Sequence, residues 1–167
     1  MGRLVQSYKK SLTKPTVMYI ITVKGDELMT GEFAVAVHAL VFLNHKQKTV
    51  SSETLADNVC TNPARIRKVM AKLKKHGLVQ TKEGADGGYQ FVLNPREVTL
   101  AQVCEAVGNR LVSSSWRSGD LDKKCLISSG MGEIMNGIYE QLNDVCMQKL
   151  QTMTIQDIDQ KIFFQNC

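Results

Sequence analysis

Apolar residues recur at helical spacing in five stretches of the chain, so the pattern predicts a mainly α-helical protein. The first stretch, 30–44, is apolar over a broad face, which indicates burial on more than one side. The second and third stretches, 52–59 and 63–77, are separated by only three residues. Asn62 is a strong N-cap and Pro63 suits the first helical position, so the third helix has a clear start.

Two short strand-like runs, 78–82 and 89–93, come after the third helix. The turn between them carries Gly84, Gly87 and Gly88, which favour a β-hairpin. Two helices joined by a three-residue turn and followed by a hairpin form a winged helix-turn-helix domain. The expected fold is therefore mainly α with a small β-hairpin wing.

The last apolar stretch, 131–152, predicts a helix on the order of 33 Å long at about 1.5 Å per residue. Little of the chain remains to cover its apolar seam, so we expect packing against the same helix of a second copy. Packing on its own domain is the alternative. The predicted dimerisation seam has the alternating four-three spacing of a coiled coil and consists of Met131, Met135, Ile138, Leu142 and Val145.

Charge is one-sided over the third helix and the start of the hairpin, because 63–82 holds seven Lys or Arg residues and no acidic residue. This density indicates a polyanionic partner, which for a helix-turn-helix is double-stranded DNA. No apolar run approaches the roughly 20 residues of a membrane span. Phosphate-loop, paired-histidine and nucleophile-elbow motifs are absent from the sequence, so we predict neither an enzyme nor a membrane protein.

These patterns divide the chain into four predicted segments. They are an N-terminal extension (1–28), the winged helix-turn-helix DNA-binding domain (29–108), a loop with a candidate sensor cysteine (109–130), and the dimerisation helix with a C-terminal tail (131–167). Thr99 and Gln102 form a capping box for the helix that closes the DNA-binding domain. The codons for residues 24–26 can together form a purine-rich ribosome-binding sequence just before Met29. This raises the hypothesis that Met29 is the natural start and that 1–28 is a translated leader.

The run VSSETLADNVCTNPARIRKVMAKLKKHGLV, followed by GADGGY, resembles the signature of the Rrf-two family of bacterial winged-helix transcription regulators. The resemblance extends from about 29 to about 152. It implies a homodimer that binds a palindromic operator and senses iron–sulfur status, nitric oxide or oxidants through cysteines. We therefore expect a homodimeric repressor with thiol-based redox sensing. The alternatives are an iron–sulfur-binding regulator and a winged-helix protein-interaction module without operator recognition.

The residues predicted to contact DNA lie on the first two helices, the recognition helix and the wing. They are Thr30, Ser52, Asn62, Ala64, Arg65, Arg67, Lys68, Lys72, Lys82, Gly88 and Tyr89. The first residues of the recognition helix are expected to read base edges, and Lys72 to contact phosphates. Members of the resembled family commonly carry an arginine before the first wing glycine. This chain has Glu83 there, so we expect weak minor-groove readout.

Five cysteines, an odd number without paired spacing, argue against a disulfide framework and for a cytoplasmic protein. Cys60 stands near two arginines and a helix start, and Cys125 follows two lysines, so both settings favour the reactive thiolate and predict redox sensing. The alternative for Cys60 is a place in the helix-turn-helix core. Only Cys125 matches a cluster cysteine of the resembled family, so neither an iron–sulfur cluster nor another cofactor is expected. The remaining thiols are assigned to the core, the edge of the seam and the tail: Cys104, Cys146 and Cys167.

Overall fold

The computed structural model describes residues 28–84, 87–108, 110–114 and 116–164. The predictions about 1–27 and Cys167 lie outside these residues, and so does the side chain of Thr30. The mainly helical fold with a small antiparallel wing is confirmed. Its elements are α1 (Leu28–Lys46), α2 (Ser52–Val59), α3 (Pro63–Lys75), β1 (Gln80–Lys82), β2 (Gly88–Gln90), α4 (Leu100–Val107), α5 (Leu126–Gln151) and α6 (Ile155–Phe164).

The helix-turn-helix consists of α2 and α3, and side-chain caps start both helices. The Ser51 hydroxyl accepts a hydrogen bond from the Thr54 backbone N–H at 3.2 Å, and Asn62 Oδ1 accepts one from the Arg65 N–H at 2.8 Å. The apolar faces of α2 and α3 join α1 and α4 in one core. Its largest fully buried side chains include Leu40, Leu43, Leu55, Ile66, Met70, Leu73 and Val103.

The wing is shorter than predicted, since β1 and β2 have three residues each. Leu78 and Phe91, which the prediction placed within the two strands, lie outside them and are buried in the core. Val50 and Tyr89 exchange two backbone hydrogen bonds of 2.9 Å, which tie the wing to the segment before α2. Gly88 lies against the Val50 carbonyl, where a Cβ would collide, and its φ of +153° favours glycine. The wing is therefore anchored at its base.

The long helix α5 begins at Leu126 rather than at Met131 and has 26 residues. Gly132 is the one buried residue among those of α5. Most of the helix therefore faces solvent in the single chain, apart from its contacts with α4. Across the described residues, no helix combines the length and the apolar character needed to cross a membrane.

The sequence prediction of a simple tail after the long helix is wrong, because α6 folds back onto α1. Thr154 and Asp157 cap the start of α6 reciprocally, through hydrogen bonds of 2.8 and 3.2 Å. The Leu100 N–H donates to the Met153 carbonyl at 2.8 Å, so the start of α4 and the end of α5 are joined. Ile155 is fully buried and attaches α6 to the DNA-binding domain.

Candidate nucleic-acid interface

The recognition helix α3 buries one face and exposes the other. Its buried residues recur at helical spacing and attach the helix to the core: Ile66, Val69, Met70 and Leu73. On the opposite face Ala64, Arg67 and Ala71 are exposed, at intervals of three and four residues. Alanines on either side of an arginine let the helix backbone come close to a groove while the long side chain reaches into it. Ala71 was not among the predicted contacts, although its spacing from Arg67 signals it.

Arg67 is held in place by the start of α2. Its Nη1 donates to Ser52 Oγ at 3.1 Å and to Glu53 Oε1 at 3.2 Å. Hydrogen bonds from its own backbone N–H and from the Ser52 hydroxyl lower the pKa of the Glu53 carboxyl. Burial raises the pKa of Tyr89, and the positive charge of the nearby Arg67 partly offsets that rise. The Arg67 guanidinium therefore projects from the exposed face in a defined direction.

Arg65 is placed differently from the sequence prediction. It is half-buried, and its Nη2 lies so close to Gly31 of α1 that a Cβ there would collide with it. Its Nε is buried and has no hydrogen-bond partner among the described residues. The guanidinium is therefore directed against α1, and Arg67 is the better placed of the two arginines to reach base edges.

Lys68 and Lys72 share one buried carboxylate, that of Glu32 on α1. Lys68 Nζ lies 2.7 Å from Glu32 Oε1, and Lys72 Nζ lies 2.6 Å from Oε2. Lys72 Nζ also donates to the Val107 carbonyl at 2.8 Å. Burial pushes the pKa of Glu32 upward, but the hydrogen bonds and charges of the two lysines outweigh burial and hold it below its usual value. Lys72 therefore joins α1, α3 and α4, which does not favour its predicted phosphate contact.

The start of α2 and the wing border the recognition helix. Ser52 is half-buried and Thr54 is exposed beside it, at a helix N-terminus of the kind that binds phosphate. Lys82 is exposed on the wing. Gly88 and Tyr89, predicted as DNA contacts, anchor the wing to Val50 instead, as described above. Thr54 was not among the predicted contacts.

The candidate redox thiols are both exposed. Cys60 is the C-cap of α2, with a left-handed backbone at φ of 56°, so the alternative that it fills the helix-turn-helix core is wrong. Cys125 is the N-cap residue of α5. Cys104 is buried as predicted, and burial, with the negative charge of Glu105 and Cys146, raises the pKa of its thiol.

A metal ion or iron–sulfur cluster would need several converging ligands. Across the part of the chain that the structure describes, no three His, Cys, Asp or Glu side chains are grouped closely enough to hold a metal ion. Cys60, Cys104 and Cys125 lie on three different elements, at the end of α2, inside α4 and before α5. The described residues of one chain therefore do not fit an iron site.

Comparisons with known proteins agree with the fold. The Rrf2 family, described as iron-dependent transcriptional regulators, matches residues 29–161. YwnA of Bacillus subtilis, named as an HTH-type transcriptional regulator, is 24% identical over 136 residues, which cover 81% of this chain and 100% of YwnA. A solved structure from Lactobacillus plantarum, described as a transcriptional regulator, has a TM-score of 0.68 at 23% identity and covers 80% of this chain and 90% of that one. Oxidised CymR of Staphylococcus aureus has a TM-score of 0.56 at 15% identity, covering 77% of this chain and 92% of its own.

The prediction of a winged-helix transcription regulator rather than an enzyme is confirmed by these relatives. The family match spans the helix-turn-helix, the wing, the long helix and most of α6. The Rrf-two family that the sequence resembles is this same family. The chain belongs to the Rrf2 family of transcriptional regulators.

Proposed function

We propose that the chain is a homodimeric, cytoplasmic repressor that places α3 in the major groove of each half of a palindromic operator. The observation that carries this proposal is the exposed edge of α3, where Arg67 stands between Ala64 and Ala71 and is oriented by Glu53. A helix presents side chains to base edges most effectively when its small residues allow close approach and its long residue is already directed outward.

The proposed contacts divide by chemistry. Arg67 reads a base edge, with guanine the preferred partner of a bidentate guanidinium. The exposed amide of Asn62 adds a second polar group at the start of α3, although its Oδ1 already caps the helix. Phosphates are contacted by the α2 N-terminus with Ser52 and by exposed lysines along α3 and the wing: Lys74, Lys75 and Lys82.

Dimerisation is proposed to use the solvent-facing side of α5. Ile138, Leu142 and Val145 are 42%, 45% and 63% exposed in the single chain, while Met131 and Met135, which start the seam, are half-buried. Two exposed residues outside the predicted seam, Ile127 and Ile134, lie on the same side of α5 and extend the apolar surface. An apolar stripe along a helix that its own domain leaves uncovered supports a second copy as its cover.

Thiol sensing is proposed to use Cys60 and Cys125. Both are exposed and both flank a helix end, so an oxidant can reach them. Cys60 precedes the recognition helix by three residues, so a covalent bond at its sulfur acts directly beside the DNA-reading surface. The solved oxidised form of CymR, a structural relative, adds weak support for oxidation as a signal in this fold.

The test is a comparison of operator and random DNA. An operator is first selected from randomised oligonucleotides, and binding of wild type and Arg67→Ala is then measured by fluorescence anisotropy. Arg67→Ala should lower operator affinity by about 1–3 kcal/mol and leave random-DNA affinity much less affected. Arg96→Ala, an exposed arginine in the turn before α4, is the matched control and should change neither. Equal losses on both DNAs would refute base reading, and failure to select any sequence would favour a protein-interaction module.

A further inference from the structure

We infer that Glu32 is a positioning residue that holds Lys68 and Lys72 away from DNA phosphates and thereby lowers the sequence-independent part of DNA affinity and its salt dependence. The inference rests on the proposed function, because it takes α3 as the surface that meets DNA. It concerns a residue of α1 that no predicted contact includes.

The geometry of the group is specific. The Glu32 side chain is 5% exposed, and each of its two oxygens receives one lysine ammonium, at 2.7 Å from Lys68 and 2.6 Å from Lys72. Charge-assisted hydrogen bonds of this length are among the stronger side-chain interactions. A buried carboxylate is stable only when paired, so Glu32 requires these cations. Two positive charges of the recognition helix are thus bound to an internal anion.

The two lysines differ in how far they can respond to DNA. Lys72 is 35% exposed and is bonded at the same time to the Val107 carbonyl, so it stays in the protein. Lys68 is 63% exposed and directly follows Arg67 in α3. For Lys68 to contact a phosphate, it must leave Glu32 and uncover part of the carboxylate. The ion pair therefore opposes a phosphate contact that would otherwise be available on any sequence.

Phosphate contacts strengthen binding to every DNA sequence, whereas Arg67 discriminates between bases. Specificity is a difference of affinities, so a contribution common to all sequences cancels in the ratio of operator to random affinity and changes only the absolute affinity and its salt dependence. By neutralising Lys68, Glu32 lowers that common contribution and leaves base reading intact. Each phosphate contact contributes about 0.9 to the slope of log affinity against log salt concentration, so the effect is measurable as a slope.

The experiment measures affinity for operator and for random duplexes over a range of salt concentrations. Glu32→Gln should steepen the salt slope on both random and operator DNA by about one, for the released Lys68, and leave the ratio of operator to random affinity unchanged. The double variant E32Q with Lys68→Met should return the slope to the wild-type value. Glu97→Gln removes an exposed carboxylate that accepts a hydrogen bond from Asn94, and it should leave slope and ratio unchanged.

A second comparison avoids dependence on the folding of Glu32→Gln. In the otherwise wild-type chain, Lys68→Met should reduce the random-DNA slope by much less than Lys74→Met. The reason is that Lys68 is already paired with Glu32, whereas Lys74 is exposed and has no carboxylate partner among the described residues. Equal reductions would overturn the inference, as would an unchanged slope in folded Glu32→Gln. If wild type shows no operator preference at all, the proposed function fails, while the random-DNA slopes still decide the role of Glu32.

Discussion

The proposed dimerisation through α5 gives a prediction whose magnitude follows from how much of the Leu142 side chain is exposed in the single chain. Leu142 is 45% exposed in the single chain, so burial in a dimer would remove about half of its side chain from water. Full burial of a leucine contributes roughly 1.5–3 kcal/mol, so the remaining half contributes about 1 kcal/mol. Because a homodimer contains the residue twice, Leu142→Ala should weaken dimerisation by about 2 kcal/mol, which is a roughly 30-fold rise in Kd.

Sedimentation equilibrium across a range of protein concentrations measures this change directly. Val92→Ala is the matched control, because Val92 is 47% exposed and lies beside the wing, away from α5. The control should leave Kd within about twofold of wild type, since it removes no surface that the dimer covers. An unchanged Kd in Leu142→Ala, or equal changes in both variants, would refute the assignment of this face of α5 to the dimer.

Three further predictions concern acid, the wing and oxidation. The pKa of Glu32 lies below its usual value of 4.5, so its carboxylate stabilises the fold above pH 4.5. This stabilisation is lost as the pH falls and the carboxylate becomes protonated. The free energy of unfolding, measured with urea at a series of pH values, should therefore show a decline in wild type that Glu32→Gln lacks. Gly88→Ala should lower the free energy of unfolding by roughly 1–3 kcal/mol, since its methyl meets the Val50 carbonyl, whereas Gly130→Ala in α5 has no neighbour within 4 Å and should raise it by up to about 1 kcal/mol. A thiol oxidant should join Cys60 of one chain to Cys125 of its partner and lower operator affinity. On non-reducing electrophoresis Cys60→Ser and Cys125→Ser should each stay monomeric, and a covalent dimer that survives both would exclude this pairing.

Local signals in the sequence were sufficient to predict the helix-turn-helix. Asn62 and Pro63 start α3, and Thr99 with Gln102 starts α4, because caps act between residues two or three positions apart. Apolar spacing also predicted which face of α3 is buried. These features depend on neighbours in the chain, so a sequence is enough to find them.

The errors concern contacts between residues that are distant in the chain. Helical spacing gives the direction in which Lys72 leaves α3, but its partner Glu32 lies on α1, 40 residues earlier. α6 was missed although Thr154 and Asp157 form a capping box, because its burial depends on Val98 and α1 rather than on its own short apolar pattern. Cys60 is a separate case, because its exposed left-handed backbone follows from the local turn that ends α2.

These contacts change the picture of the interface from a uniformly basic helix to one with distinct parts. Arg67 is oriented outward, Arg65 is turned toward α1, and Lys72 is held in the domain. The basic character of α3 therefore overstates the number of charges that reach DNA. We therefore expect the dependence of DNA affinity on salt concentration to be weaker than the number of lysines and arginines in α3 would suggest.

The central claim is that α3 reads bases in the major groove of a palindromic site, and protection of guanine N7 from methylation tests it most directly. Wild-type protein on the selected operator should protect guanines at two symmetry-related positions whose centres lie about one helical turn, roughly 34 Å, or a multiple of it apart. Arg67→Ala should lose that protection at concentrations where it still occupies the DNA. Full protection by Arg67→Ala, or occupancy by wild type without any guanine protected in the major groove, would contradict the account.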